Sequence, residues 1–222
     1  MAQYSYSFKA KSDVPLGVSS ALVLGSSLYF QEKVKPLTVQ QIALLDKSHV
    51  NRFDRYACSQ WNPGVAKGSD IVAIGSVLLP AYFALNNNTR KDFLPIANVA
   101  MQSLLLSQSI ANLAKFSKRN RPFMYNSDVS LEHKIIPDAR MSFFSAHTTT
   151  VSATCFSFAF AHSTYYKDSK ANPYIWSTAF ILPAVEGYLR VKAGKHYPTD
   201  VIVGYLAGLG SSWLMHKMHL KQ

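Results

Sequence analysis

Six stretches of this 222-residue chain run for 15 to 26 residues without Lys, Arg, Asp or Glu, and no other feature restricts its fold as much. They cover 14–31 (18 residues), 71–89 (19), 93–114 (22), 141–166 (26), 171–185 (15) and 201–216 (16). A helix that crosses the hydrocarbon core of a bilayer takes roughly 17–25 mostly apolar residues. Four runs meet that length unaided, and the last two meet it if Glu186 and Asp200 lie near their ends. Spans are therefore predicted near 14–31, 71–89, 93–114, 143–164, 172–191 and 199–217, within a single domain over 1–222. Little chain is left over, so the expected fold is all-α, a six-transmembrane-helix bundle.

The competing reading is a soluble all-α protein with buried core helices. A mean hydropathy of only +0.01 and the interior polar residues Gln102, Ser107, Gln108 and Asn112 speak for it. Small and amide side chains also serve helix contacts inside bilayers, however, and run length favours the membrane. Charged residues make up 16% of the chain, below the roughly 25% of ordinary soluble domains. The first run ends without a small-x-small cleavage site and follows only Lys9 and Lys11, so it reads as a retained span.

Residues 36–62 differ in kind. Thr38 and Gln41 have capping-box spacing, and Ile42, Leu45, His49, Phe53 and Tyr56 recur at helical intervals among charges. This predicts short amphipathic interfacial helices; a packed connector would show the same pattern. Residues 123–140 read as an extramembrane loop.

The formal net charge is +11, which suits nucleic acid, anionic lipid or a phosphate-bearing substrate. Nucleic-acid readout wants a basic stripe along a helix, and here the densest basic run, "KFSKRNRP", merely follows an apolar segment. No nucleic-acid partner is expected. The cysteines Cys58 and Cys155 are far apart, without zinc spacing, and read as packed small hydrophobes.

Three stretches carry polar groups that are costly at the edge of apolar segments: "KFSKRNRP" at 115–122, "MSFFSAHTTT" at 141–150 and "RVKAGKHYPTD" at 190–200. Arg121 and Arg190 offer guanidinium forks that match phosphate oxygens, and Lys115 a point charge. Ser145 stands where the fourth span should begin, so the free N–H groups of Ala146 and His147 would face an anion. His196 and Asp200 are four residues apart, which puts them on one face if a helix begins near Tyr197. Asp200 would then accept a hydrogen bond from one ring nitrogen and leave the other free. Histidines on neighbouring helices could instead ligate haem. Their place beside Arg at helix mouths suits an anion better than an apolar macrocycle.

In order and separation, these stretches resemble the three-part signature of the type 2 phosphatidic acid phosphatase family, most nearly its short bacterial members. The third matches from Arg190 through His196 to Asp200, with Leu189 for the usual Ser. The second keeps Ser145 and His147 but has Phe144 for Pro and Ala146 for Gly. The first keeps Arg121-Pro122, while the family's lysine position falls on Ala114. Lys115, one residue late, is the expected phosphate ligand; Lys118 is the other candidate, and Lys118 and Arg119 are otherwise assigned to headgroups or solvent. Glu186 is expected to form a salt bridge with Arg190, and His216 and His219 to make a solvated end.

The resemblance implies catalytic His196, His147 and Asp200, with Lys115, Arg121, Ser145, Ala146 and Arg190 binding phosphate. His196 would form a phosphohistidine and His147 would protonate the leaving oxygen, with no metal and no cofactor. The implied partner is a phosphorylated membrane lipid: lipid A, polyprenyl diphosphate, phosphatidylglycerol phosphate or phosphatidic acid. A degenerate relative that binds anionic headgroups without turnover is the alternative implied by Phe144, Ala146 and the shifted lysine. With six spans the three stretches share one side, which carries 15 of the Lys and Arg residues against 8 on the other. Counted blindly, that excess would place the site in the cytoplasm. Phosphate-binding residues inflate it, and the resemblance favours a bacterial inner-membrane protein with its site facing the periplasm. Nothing in the sequence sets an oligomeric state.

Overall fold

The computed structural model describes residues 5–221. The long helices are α1 (Ala10–Gln31), α3 (Pro63–Ser76), α5 (Phe93–Ala114), α7 (Ala146–Tyr165), α8 (Asn172–Lys192) and α9 (Pro198–His219). Short ones intervene: α2 (Val39–Ala43), α4 (Ala81–Leu85) and α6 (Leu131–Lys134). No strand longer than the single bridge between Tyr6 and Leu220 occurs among the described residues, so the chain is all-α.

The helices bury the wrong side chains for a protein surrounded by water. Those that α1 buries are Asp13, Ser20, Ser27 and Gln31, whereas Val14, Val18, Leu22, Tyr29 and Phe30 lie exposed. α5 buries Gln102, Ser103, Ser107, Ser109 and Asn112 beside Ile96, Val99, Ala100 and Ala111, and exposes Leu94, Met101, Ile110 and Leu113. Inside, the polar groups tie helices together: Ser109 donates to the Ser20 carbonyl at 2.8 Å, and Gln31 Nε2 to Asn112 Oδ1 at 3.0 Å. Small and polar residues inside with apolar residues outside is the distribution of a bundle surrounded by lipid. By length and composition, α1 and the helical stretch over 90–125 could each cross a membrane.

α7 is the central helix, packed on α3, α5, α8 and α9. Its approach to α9 rests on two glycines. A Cβ on Gly204 would stand 2.7 Å from the Ser145 carbonyl oxygen, and one on Gly208 2.6 Å from both Ser152 Cβ and the Thr149 carbonyl oxygen.

In the second segment the helix differs from the sequence reading. The helix there begins at Pro63 rather than near 71, because Asn62 caps it, accepting from the Val65 N–H, and Pro63 fills its first position. Lys67 and Asp70 therefore lie on the helix, although they precede the charge-free run. Beyond Ser76 the chain continues through i→i+3 bonds from Leu79 to Ser76 and from Phe83 to Pro80, and no single helix covers 71–89. Pro80 lacks the N–H that an unbroken helix would need.

Residues 36–62 form one short helix and two 3₁₀ turns, Lys47–His49 and Arg55–Ser59. The Thr38–Gln41 capping box is present. Ile42 packs with Phe123, Met124, Val129 and Ala139, and Val50, Ala57 and Cys58 pack with Val191 and Tyr197. The segment is a packed cover over the end of the bundle where α5, α7, α8 and α9 meet. At the opposite end His216 and His219 are not solvated. His219 is buried with Nε2 at 2.8 Å from Asp13 Oδ1, and His216 Nδ1 pairs with the Tyr6 hydroxyl at 2.8 Å. Cys58 and Cys155 are free and buried.

Candidate active site

The covered end of the bundle gathers the three polar stretches. The first follows the C-terminus of α5, the second starts α7, and the third links α8 to α9. Backbone bonds lock them together: Ser145 N–H donates to the Asp200 carbonyl at 3.2 Å, and Ser142 N–H to the Arg119 carbonyl at 2.9 Å.

His196 lies at the centre with about 1% of its surface exposed. Its Nδ1 is 2.7 Å from the Ser142 carbonyl oxygen, which can only accept, so Nδ1 carries the proton. Nε2 is therefore left with its lone pair, 3.1 Å from Arg121 Nη1. This corrects the expected bond to Asp200, whose Oδ2 stands 3.6 Å from Nδ1. Asp200 instead accepts from the Ser142 hydroxyl at 2.5 Å, the Tyr197 N–H at 2.9 Å and Arg119 Nη1 at 2.6 Å. It orients His196 through Ser142. Burial, then Arg121, Arg190 and Lys115, hold the His196 proton affinity well below its ordinary value, so the ring is neutral at neutral pH.

The cations come from three elements. Arg121 is fixed by Asp138, donating to its carbonyl through Nε at 2.9 Å and to its carboxylate through Nη2 at 2.7 Å. Burial of that carboxylate would raise its pKa, but Arg121 overcomes this and holds it down at about 2. Arg190, in the last turn of α8, donates through Nη1 to Ser69 Oγ at 3.2 Å and to Asp70 Oδ1 at 3.1 Å. Lys115 is buried, with Nζ 3.3 Å from the Met141 carbonyl oxygen. Desolvation, and secondarily Arg121, lower its pKa to about 8. Lys118 is exposed and takes a left-handed turn (φ 53°), so the structure brings Lys115 and not Lys118 to His196.

Ser145 caps α7: its hydroxyl accepts from the Thr148 N–H at 3.3 Å and shares a 2.9 Å bond with Thr148 Oγ1. The N–H groups of Ala146 and His147 donate to no protein acceptor among the described residues. They stand at a helix N-terminus beside three cations, an arrangement suited to a phosphate. His147, a third exposed, places Nε2 2.9 Å from Asp70 Oδ1.

Two further expectations are corrected. Arg119 serves neither headgroup nor solvent. It donates to Asp54 Oδ2 at 2.7 Å and to Asp200, and stacks on Tyr197 at 4.1 Å. Asp54 is fully buried and also takes the Thr199 N–H and hydroxyl, so the cover is pinned to the start of α9. Glu186 forms no salt bridge with Arg190 and instead accepts from the Ser69 hydroxyl. The sequence reading passed over Ser142, Asp70, Asp138 and Lys195. Lys195, immediately before His196, holds its Nζ 5.1 Å above Phe123 and 5.5 Å above Trp61. Only its position in the third stretch could have drawn notice.

Among solved structures the chain is similar to Aquifex aeolicus LpxE, at 22% identity and a TM-score of 0.50 over 70% of this chain and 87% of that one. It is also similar to the first transmembrane PAP2 type phosphatidylglycerolphosphate phosphatase from Bacillus subtilis. There the identity is 19% and the TM-score 0.54, over 93% of this chain and 94% of that one. No curated protein sequence matches it. A model of the PAP2 superfamily matches residues 96–222, more than half of the chain and all three polar stretches, and the chain therefore belongs to that superfamily.

Proposed function

We propose that this protein hydrolyses a phosphate monoester or diphosphate on a membrane lipid through a phosphohistidine at His196. One observation carries the reading. A buried imidazole with its free Nε2 directed at Arg121 lies among three cations, at the end of a bundle whose outer surface is apolar. We infer six spans: α1, the composite of α3 and α4, α5, α7, α8 and α9. The site then sits at the headgroup level, where a lipid phosphate arrives without leaving the bilayer.

Arg121, Arg190 and Lys115 grip the phosphoryl oxygens, and the Ala146 and His147 N–H groups complete the cradle. The phosphate draws Arg121 Nη1 away from Nε2, which attacks phosphorus. The P–N bond forms as the ester P–O bond breaks, and the electron pair passes to the leaving oxygen, which takes a proton from His147. His147 then takes a proton from water. The water oxygen bonds phosphorus and the P–N pair returns to Nε2. The likeness to a phosphatidylglycerolphosphate phosphatase makes that lipid a natural first substrate; lipid A, polyprenyl diphosphate and phosphatidic acid share its chemistry. We place the protein in a bacterial inner membrane with the site facing the periplasm.

The test is phosphate release from these four lipids in detergent with EDTA present, together with acid-labile labelling of His196. Release from at least one lipid, lost in His196→Ala, is expected. Folded protein that binds vanadate but releases nothing would make it a headgroup binder instead.

A further inference from the structure

The acid of this site faces an electrostatic difficulty. His147 must carry a proton to the leaving oxygen, yet the cation Arg190 shares its one carboxylate partner. Neighbouring cations favour the neutral ring, and only an anion in contact favours the charged one. That anion is Asp70 on α3. Its Oδ1 stands 2.9 Å from His147 Nε2 and 3.1 Å from Arg190 Nη1, bridging the acid to the phosphate-gripping guanidinium. Next to it, Ser69 bonds Glu186 and Arg190, which fixes this turn of α3 against α8. Asp70 lies outside residues 96–222, the part that the superfamily model matches. In the sequence it reads only as the charge before the second apolar run.

Resting on the phosphatase reading, we propose that Asp70 is the positioning residue of the acid: its carboxylate meets the ring at Nε2, fixes its place beside Arg190 and holds the proton on that nitrogen until the leaving oxygen takes it. The side chain is half exposed (49%), so it is not needed to fill the core. Its contribution should depend on how much the leaving group needs a proton. A lipid alkoxide needs one fully; p-nitrophenolate hardly needs one.

The experiment compares wild type, Asp70→Asn and Asp70→Glu on a long-chain lipid phosphate and on p-nitrophenyl phosphate in the same micelles, with vanadate inhibition as a measure of phosphate grip. Asp70→Asn should lose about 100-fold in kcat on the lipid, the scale of general-acid catalysis. It should keep its rate on the aryl ester and its vanadate affinity to within about threefold, and Asp70→Glu should recover part of the loss. Equal losses on both substrates, weakened vanadate inhibition or no loss at all would each overturn the inference and leave the phosphatase reading intact. Wild-type silence on both substrates would overturn the phosphatase reading and the inference with it.

Discussion

At His196 and Lys115 burial acts on two bases in one place, and the two should dominate the pH behaviour. The His196 proton affinity is pushed well below 6.5, by burial first. The unfolded chain takes up that proton below pH about 6.5 and the folded chain does not, so stability falls as pH drops through this range. Lys115, lowered to about 8, is charged at neutral pH and discharges above pH 8. As a phosphate ligand it should make kcat/KM fall above pH about 8, while kcat holds longer because bound phosphate favours the charged amine. A kcat/KM profile flat to pH 10 would remove Lys115 from the site. Lys115→Ala should cost about 1.5–3 kcal/mol in kcat/KM and Lys118→Ala almost nothing, since Lys118 is exposed. Most site side chains were legible because charge beside an apolar run is conspicuous. The partner of His196 was not. It is the backbone carbonyl of Ser142, and a backbone acceptor leaves no mark in a sequence.

Among the elements, the meeting of α7 and α9 decides whether Ser145 and His147 stand opposite His196. Gly204 and Gly208 let the two backbones touch, and a methyl on Gly208 has no room beside Ser152 and Thr149. Gly208→Ala should destabilise by about 1–3 kcal/mol and lower kcat through the displaced His147, as thermal denaturation and turnover in detergent would show. The link between cover and α9 is equally exposed to change. Arg119→Ala leaves Asp54 and Asp200 buried without their cation, a loss of about 3–5 kcal/mol, whereas both carboxylates keep their other hydrogen bonds. The element that sequence reading misplaced, α3, shows where charge gaps fail. Lys67 and Asp70 bound the apolar run but not the helix, because a helix can hold charges where its side chains face solvent or a site, as Asp70 faces Arg190.

For the whole molecule, the apolar runs made the bundle legible because six such runs leave little chain for anything else. Less legible was how polar residues inside the runs would be used. The reading that put His216 and His219 in solvent followed from their closeness to the chain end. In the structure Asp13 of α1 reaches His219 of α9, while Asn98 and Gln102 of α5 donate to Asp13 at 3.2 and 3.4 Å. This polar knot sits at the end of α9 opposite His196 and ties α1, which packs chiefly on α5, to the last helix. The two ends of the bundle should therefore be separable by mutation. Asp13→Asn or His219→Leu breaks a buried pair and leaves the remaining partner inside, a cost of about 3–5 kcal/mol. The melting temperature should fall accordingly, while kcat and KM of the folded protein stay at wild-type values, because neither residue touches the site. Arg190→Ala should do the reverse, cutting kcat/KM more than stability. If His219→Leu abolished turnover in protein that still melts cooperatively, the far end of α9 would be coupled to the site and the knot would be more than an anchor.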